Sequence, residues 1–143
     1  MAGKKTIEAI SLHKKKYNCA QAVLLPFAEE LGLDRKTAMM ISEGFGAGMG
    51  GYKLKTGPCG ALSGAIMVLG LKNSTGNLEA PDSKLSTYAK CHEICEAFEK
   101  EIGSCSCYEI KGCDTGKPLK TCDECIMTGA KLAEKIMAKA FDS

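Results

Sequence analysis

Three of the nine cysteines in this 143-residue chain stand where the sequence predicts that a helix begins. Each follows a residue type that favours the first positions of a helix, in the pairs Asn18-Cys19, Pro58-Cys59 and Thr121-Cys122. A thiol at such a position lies near the positive end of the helix dipole and near unpaired N–H groups, which lower its pKa. Thiolate is the form that attacks disulfides and binds metals, so these three cysteines are candidate nucleophiles or ligands.

Cys125 forms a Cys-x-x-Cys motif with Cys122, one helical turn apart at the start of the last predicted helix. The motif is typical of redox dithiols and could equally supply two metal ligands, although the βαβ context of thioredoxin-like proteins is missing. Cys91 and Cys95 are also one turn apart, on a stripe of a long helix that carries apolar residues. For this second pair, buried packing is the expected role.

Three further cysteines, Cys105, Cys107 and Cys113, fall in an irregular segment over residues 104–120. A cysteine in a loop can turn toward a ligand more freely than one on a helix face. A loop also offers little core, so we expect that these three are not all packing residues.

Other signatures of chemistry are weak. The glycine-rich loop 44–51 contains G-x-G-x-x-G, but a helix rather than a strand precedes it, so a dinucleotide site is not expected. Its expected use is close backbone approach, with N–H groups available to a thiolate, a cluster sulfide or an anion. His13 and His92 have no evident catalytic partner, and Cys91-His92-x-x-Cys95 is not a haem-attachment motif.

Composition narrows the class of protein. The net charge is +2, from 19 basic and 17 acidic residues, and few aromatics interleave the basic ones, so no nucleic-acid partner is expected. The first residues lack the apolar run of a signal peptide, and no apolar stretch is long enough for membrane insertion. We therefore expect a cytoplasmic protein, in which many cysteines indicate metal binding or thiol redox chemistry rather than stapling disulfides.

The elements that must position these thiols are predicted to be helices throughout. We expect an all-α fold, a compact single-domain bundle of about five or six helices over residues 1–143. The predicted helices span about 4–16, 18–32, 34–42, 58–69, 82–103 and the region from 121 through Ala140. The helix that starts at Pro58 is apolar almost all round, which predicts a central, buried element. Ala38, Met39 and Ile41 mark the apolar side of the third helix.

Together, several of these motifs resemble those of a family of small redox-active proteins named for a C…GCAxxG…C…C pattern. The resemblance is carried by Asn18-Cys19-Ala20-Gln21, the glycine loop and Cys59-Gly60-Ala61-x-x-Gly64, and it covers nearly the whole chain. It implies that Cys107 and Cys122 match the two later family cysteines, with Cys105 and Cys125 as close competitors. The chain is also similar to the non-haem portion of split-Soret cytochromes, which suggests electron transfer.

The resemblance implies one redox site built from Cys19, Cys59, Cys107 and Cys122. Four thiolates suit an iron–sulfur cluster or, less well, zinc. In the alternative, thiol–disulfide exchange, Cys59 would attack and Cys19 or Cys122 would resolve. A non-catalytic helical module that binds partners, with incidental cysteines, is the third hypothesis. A redox partner protein is implied, and an exposed site near the glycine loop is compatible with a homodimer.

Overall fold

The structure, a computed structural model, describes residues 3–51 and 54–138, and within them it contains helices and no strand. The all-α prediction is therefore confirmed. The α-helices are α1 (Lys4–Lys14), α2 (Cys19–Ala28), α3 (Arg35–Ser42), α4 (Gly60–Asn73), α5 (Lys84–Ile102), α6 (Cys107–Ile110) and α7 (Cys122–Met137). Short 3₁₀ turns follow α2 and α3, and Ala140, expected in the last helix, lies outside the described residues.

Local capping signals explain where most of these helices begin. Asn18 caps α2 and Thr121 caps α7, each through a complete capping box. Asp34 accepts a 3.0 Å hydrogen bond from the backbone N–H of Thr37 and so caps α3. These boundaries agree with those predicted from sequence, because each cap is satisfied within four residues of chain.

The apolar helix α4 lies at the centre of the fold, packed against α2, α5 and α7. Its position depends on glycines, since a Cβ at Gly64 would lie 2.8 Å from the carbonyl oxygen of Ala20 in α2. On the other side, a Cβ at Gly129 of α7 would lie 2.6 Å from the carbonyl oxygen of Ala61. The backbones of α2, α4 and α7 therefore approach one another more closely than side chains would allow.

Two details differ from expectation. α4 begins at Gly60 rather than at Pro58, because Pro58 pairs with Ser106 in an isolated antiparallel bridge. Cys59 is consequently the N-cap of α4, in extended rather than helical conformation. In α3, Ala38 is buried as expected, but Met39 and Ile41 are 39% and 51% exposed. The narrow contact of α3 is made by Ala38 and Ser42, which leaves the rest of its apolar residues outside the core.

The long helix α5 ends at Gly103, which adopts the left-handed conformation that favours glycine. No helix within residues 3–51 and 54–138 is both long and apolar enough to cross a membrane.

Candidate functional site

Five cysteines from separate parts of the chain line one cavity of about 200 Å³. Four of them are the cysteines that the resemblance selects, and the fifth is the second cysteine of the Cys-x-x-Cys motif. The complete wall consists of His13, Asn18, Cys19, Ala47, Cys59, Cys107, Ile110, Lys111, Cys122 and Cys125. We call this space the sulfur cavity.

Four of these cysteines lie at helix N-termini. Cys19, Cys107 and Cys122 are the first residues of α2, α6 and α7, and Cys59 is the N-cap of α4. The positive ends of these helix dipoles therefore lie around one space. The sequence had predicted three such starts and missed the fourth, in the segment expected to be irregular.

The signal that predicts the fourth start is a short capping pattern. Ser106 is followed three residues later by Glu109, and the Ser106 hydroxyl accepts a 3.3 Å hydrogen bond from the Glu109 N–H. This cap forms α6 and fixes Cys107 at its first position, 5% exposed.

The bridge between residues 57–59 and 105–107 distinguishes Cys107 from its competitor Cys105. The N–H of Cys59 donates to the carbonyl of Cys105 at 2.7 Å, and the N–H of Cys107 donates to the carbonyl of Gly57 at 3.0 Å. If the backbone stayed extended from residue 105 to residue 107, the side chains of Cys105 and Cys107 would point to the same face. Here α6 begins at once, so Cys107 lines the sulfur cavity while Cys105 packs near α5.

Cys125 and Cys122 do not compete, because both line the cavity. The Cys59 thiol is hydrogen-bonded to the thiols of Cys19 and Cys125. Cys19 also receives a hydrogen bond from the backbone N–H of Ala47, in the glycine loop. The loop can present this N–H because residues Ala47 to Gly51 all have positive φ.

Close contact with a second cysteine explains one glycine of that loop. A Cβ at Gly48 would lie 2.7 Å from the Cβ of Cys107 and 3.2 Å from the carbonyl oxygen of Gly57. The expected close backbone approach of the glycine loop is therefore present, and it closes one side of the sulfur cavity.

A cation and a histidine also line the sulfur cavity. The ammonium group of Lys111 donates a hydrogen bond to the Cys122 sulfur. His13 Nδ1 lies 2.9 Å from Asp123 Oδ1, so the histidine does have a partner. The two residues are 110 positions apart, which is why the sequence did not reveal the pair.

An outer pocket adjoins the sulfur cavity and shares His13, Lys111 and Cys122 with it. Its volume is about 510 Å³, and Lys14 and Lys120 also line it. Cys122 therefore lies between an enclosed, sulfur-lined space and an open, mainly basic one.

The predicted lowering of thiol pKa values is wrong for Cys19 and Cys59 in the metal-free protein, and the pKa of Cys107 is raised as well. The hydrogen bond with Cys59 and burial raise the pKa of Cys19 far above its usual range. The hydrogen bond with Cys125 and burial raise the pKa of Cys59 to about 12. Burial, with the nearby Cys19 thiol, raises the pKa of Cys107 to about 11. Desolvation and neighbouring thiols outweigh the helix dipoles here, since several thiolates cannot be charged together in one small space.

Cysteine thiolates are ligands that both an iron–sulfur cluster and zinc take. Zinc needs four ligands at about 2.3 Å from one atom. Within the described residues, no three Cys, His, Asp or Glu side chains are arranged to hold one ion in that way. An iron–sulfur cluster distributes its thiolates over several iron atoms. Five thiols around an enclosed space of about 200 Å³ match that requirement in donor type and in enclosure.

No curated protein and no solved structure matches the sequence. A family model described as "Putative redox-active protein (C_GCAxxG_C_C)" matches residues 17–136, a span that includes every cysteine of the sulfur cavity. The family match agrees with the resemblance seen in the sequence, and the chain belongs to this C_GCAxxG_C_C family.

Proposed function

We propose that this protein transfers electrons through an iron–sulfur cluster held in the sulfur cavity by Cys19, Cys59, Cys107 and Cys122. The observation that carries the proposal is that these four thiols, each at a helix N-terminus, line one enclosed space. When bound, such a cluster accepts and releases single electrons at a potential set by its surroundings.

The surroundings favour an anionic group. Four helix N-termini and the Lys111 ammonium group contribute positive potential, and the residues that form the wall of the cavity include no carboxylate. A cluster with four thiolate ligands carries net negative charge, which this potential stabilises. Ligation also removes the thiol protons, so the raised pKa values of Cys59 and Cys107 are compatible with this role.

Cys125 has a supporting part in this proposal. Its thiol is hydrogen-bonded to Cys59, and it is 2% exposed. Hydrogen bonds to a ligating sulfur change the potential of a cluster. We assign Cys125 to this positioning and tuning role, and we place the redox partner at the outer pocket, where basic residues would meet an acidic surface.

Anaerobic purification tests the proposal. We expect visible absorption together with iron and acid-labile sulfide in similar amounts, and loss of all three in Cys59→Ser and Cys107→Ser. Cys113→Ser is the matched control, because Cys113 is exposed and lies outside the cavity wall, and this variant should retain the cluster. Colourless, iron-free protein after both native purification and anaerobic reconstitution would rule the cluster out.

A second candidate, thiol–disulfide exchange, is favoured by the hydrogen-bonded thiols of Cys19, Cys59 and Cys125. Here Cys59 would attack a disulfide substrate, and a neighbouring thiol would release the product and close a protein disulfide. The same iron-free preparation distinguishes the two functions. Exchange requires that a small-molecule disulfide produces a protein disulfide that includes Cys59, identified by mass spectrometry of the alkylated digest, reversed by dithiothreitol and absent in Cys59→Ser.

A further inference from the structure

A second group of thiols lies outside the sulfur cavity. Cys91 and Cys95 are on successive turns of α5, and Cys105 lies in the segment between α5 and α6. All three are partly buried against the hydrophobic core, and none lines the sulfur cavity. The family pattern, with its four cysteines, leaves these three without a role.

Cys95 interacts with both of the other cysteines. The Cys91 and Cys95 thiols are hydrogen-bonded, and the charge of either Cys91 or Cys105 would raise the pKa of Cys95. Cys105 Sγ lies 3.6 Å from the carbonyl oxygen of Cys95 and 4.0 Å from Glu99 Oε2. These contacts join two elements, a helix and the segment after it, through sulfur.

We propose that Cys95 and Cys105 form a second redox site, a dithiol that a small-molecule disulfide oxidises to a Cys95–Cys105 disulfide. The Cys105 sulfur attacks one sulfur of the oxidant, forms a mixed disulfide with it, and displaces the first thiolate. The Cys95 sulfur then attacks Cys105 Sγ and displaces the second thiolate. Both protein thiol protons pass to the two released thiolates, so one disulfide is reduced for each protein disulfide formed.

Helix geometry favours this pair over Cys91 and Cys95. Residues four apart on a helix have Cβ atoms about 5–6 Å apart, whereas a disulfide needs about 3.5–4.5 Å. Cys105 is on a different element and is not held at that helical spacing. Cys91 therefore remains a neighbouring thiol.

Tryptic mapping tests the proposal on the full chain. The reduced protein is incubated anaerobically with glutathione disulfide, its remaining thiols are alkylated, and the digest is examined by mass spectrometry. Cleavage after Lys90, Lys100 and Lys111 places Cys95 and Cys105 on adjacent separate peptides. We expect these peptides to be joined by a disulfide and to separate on reduction, with a loss of two free thiols.

Single variants assign the bond and distinguish this site from the sulfur cavity. Cys91→Ser and Cys107→Ser remove the other cysteine of each peptide and should retain the cross-link, whereas Cys95→Ser and Cys105→Ser should abolish it. Cys95→Ala and circular dichroism check that lost cross-linking is not lost folding. Iron content in Cys95→Ser and Cys105→Ser should equal that of wild type, which keeps this result independent of the cluster proposal. Cross-linking that survives in Cys95→Ser or Cys105→Ser, or glutathione attached only at the exposed Cys113, would overturn the proposal.

Discussion

The backbone N–H of Cys59 donates a 2.7 Å hydrogen bond to the carbonyl oxygen of Cys105. Cys59 belongs to the sulfur cavity and Cys105 to the second thiol group, so this bond connects the backbones of the two groups. The Cys105-Ser106-Cys107 sequence therefore supplies one sulfur to each group, because Cys107 follows at the start of α6 and contributes its sulfur to the cavity.

Close packing of α2 against α4 predicts that glycine-to-alanine substitutions at two positions of α4 change the free energy of unfolding in opposite directions. In Gly64→Ala the new methyl group would meet the Ala20 carbonyl at 2.8 Å, and we expect a loss of about 1–3 kcal/mol in the free energy of unfolding. In Gly70→Ala no heavy atom lies within 4 Å, and we expect a gain of up to about 1 kcal/mol. Urea denaturation measures both, and equal stability of the two variants would contradict the described approach of the helices.

The capping box of α7 predicts that Thr121→Ala lowers the free energy of unfolding by about 1 kcal/mol. The Thr121 side chain accepts a hydrogen bond from the N–H of Glu124, and alanine leaves that N–H without it. Thr128→Ala, in the interior of the same helix, is the matched control and should be neutral or slightly stabilising. Because Cys122 is the first residue of α7, we also expect faster alkylation of Cys122 in Thr121→Ala only.

Stability of the metal-free protein should fall at alkaline pH. The pKa of Cys59 is raised to about 12 and that of Cys107 to about 11, from an ordinary value of 9.0. The unfolded chain therefore releases these protons first, so their contribution to stability is complete below about pH 9 and is lost as the pH rises toward 12.

Urea midpoints of reduced, metal-free protein at about pH 8 and about pH 10.5 measure this loss. Cys107→Ser should lose less stability over that interval than wild type, while Cys113→Ser should lose as much. An equal loss in Cys107→Ser and wild type would show that other groups, such as lysines, cause the change.

His13 is expected to limit access to Cys122. It forms part of the wall of both the sulfur cavity and the outer pocket, held by Asp123. In His13→Ala we expect iodoacetamide to alkylate Cys122 several-fold faster, with the exposed Cys113 as an internal reference. Lys14 lines the outer pocket but not the sulfur cavity, so Lys14→Ala should leave the alkylation rate of Cys122 unchanged. A change of similar size in both variants would contradict this role.

Sequence could predict those features whose causes are local. The caps at Asn18, Asp34 and Thr121 act over three residues, and the helix starts that these caps predict are confirmed. The Ser106 cap is equally local, although residues 104–120 were expected to be irregular.

Features that depend on tertiary packing could not be predicted from the sequence. Nothing near Cys125 indicates that its thiol is hydrogen-bonded to Cys59, and nothing near His13 indicates Asp123. The pKa prediction failed for the same reason. Local position reveals the helix dipole at Cys19, but only the fold reveals the burial and the neighbouring thiol that outweigh it.

The span of chain that encloses the sulfur cavity has a consequence for biosynthesis. His13 of α1 and Cys122 of α7 belong to the same wall, so the enclosure cannot exist until α7 has docked. A nascent chain that ends before α7 lacks the part of the wall that Cys122 and Cys125 supply. The proposed cluster would therefore be inserted when or after α7 docks, into a nearly complete fold rather than into an emerging chain.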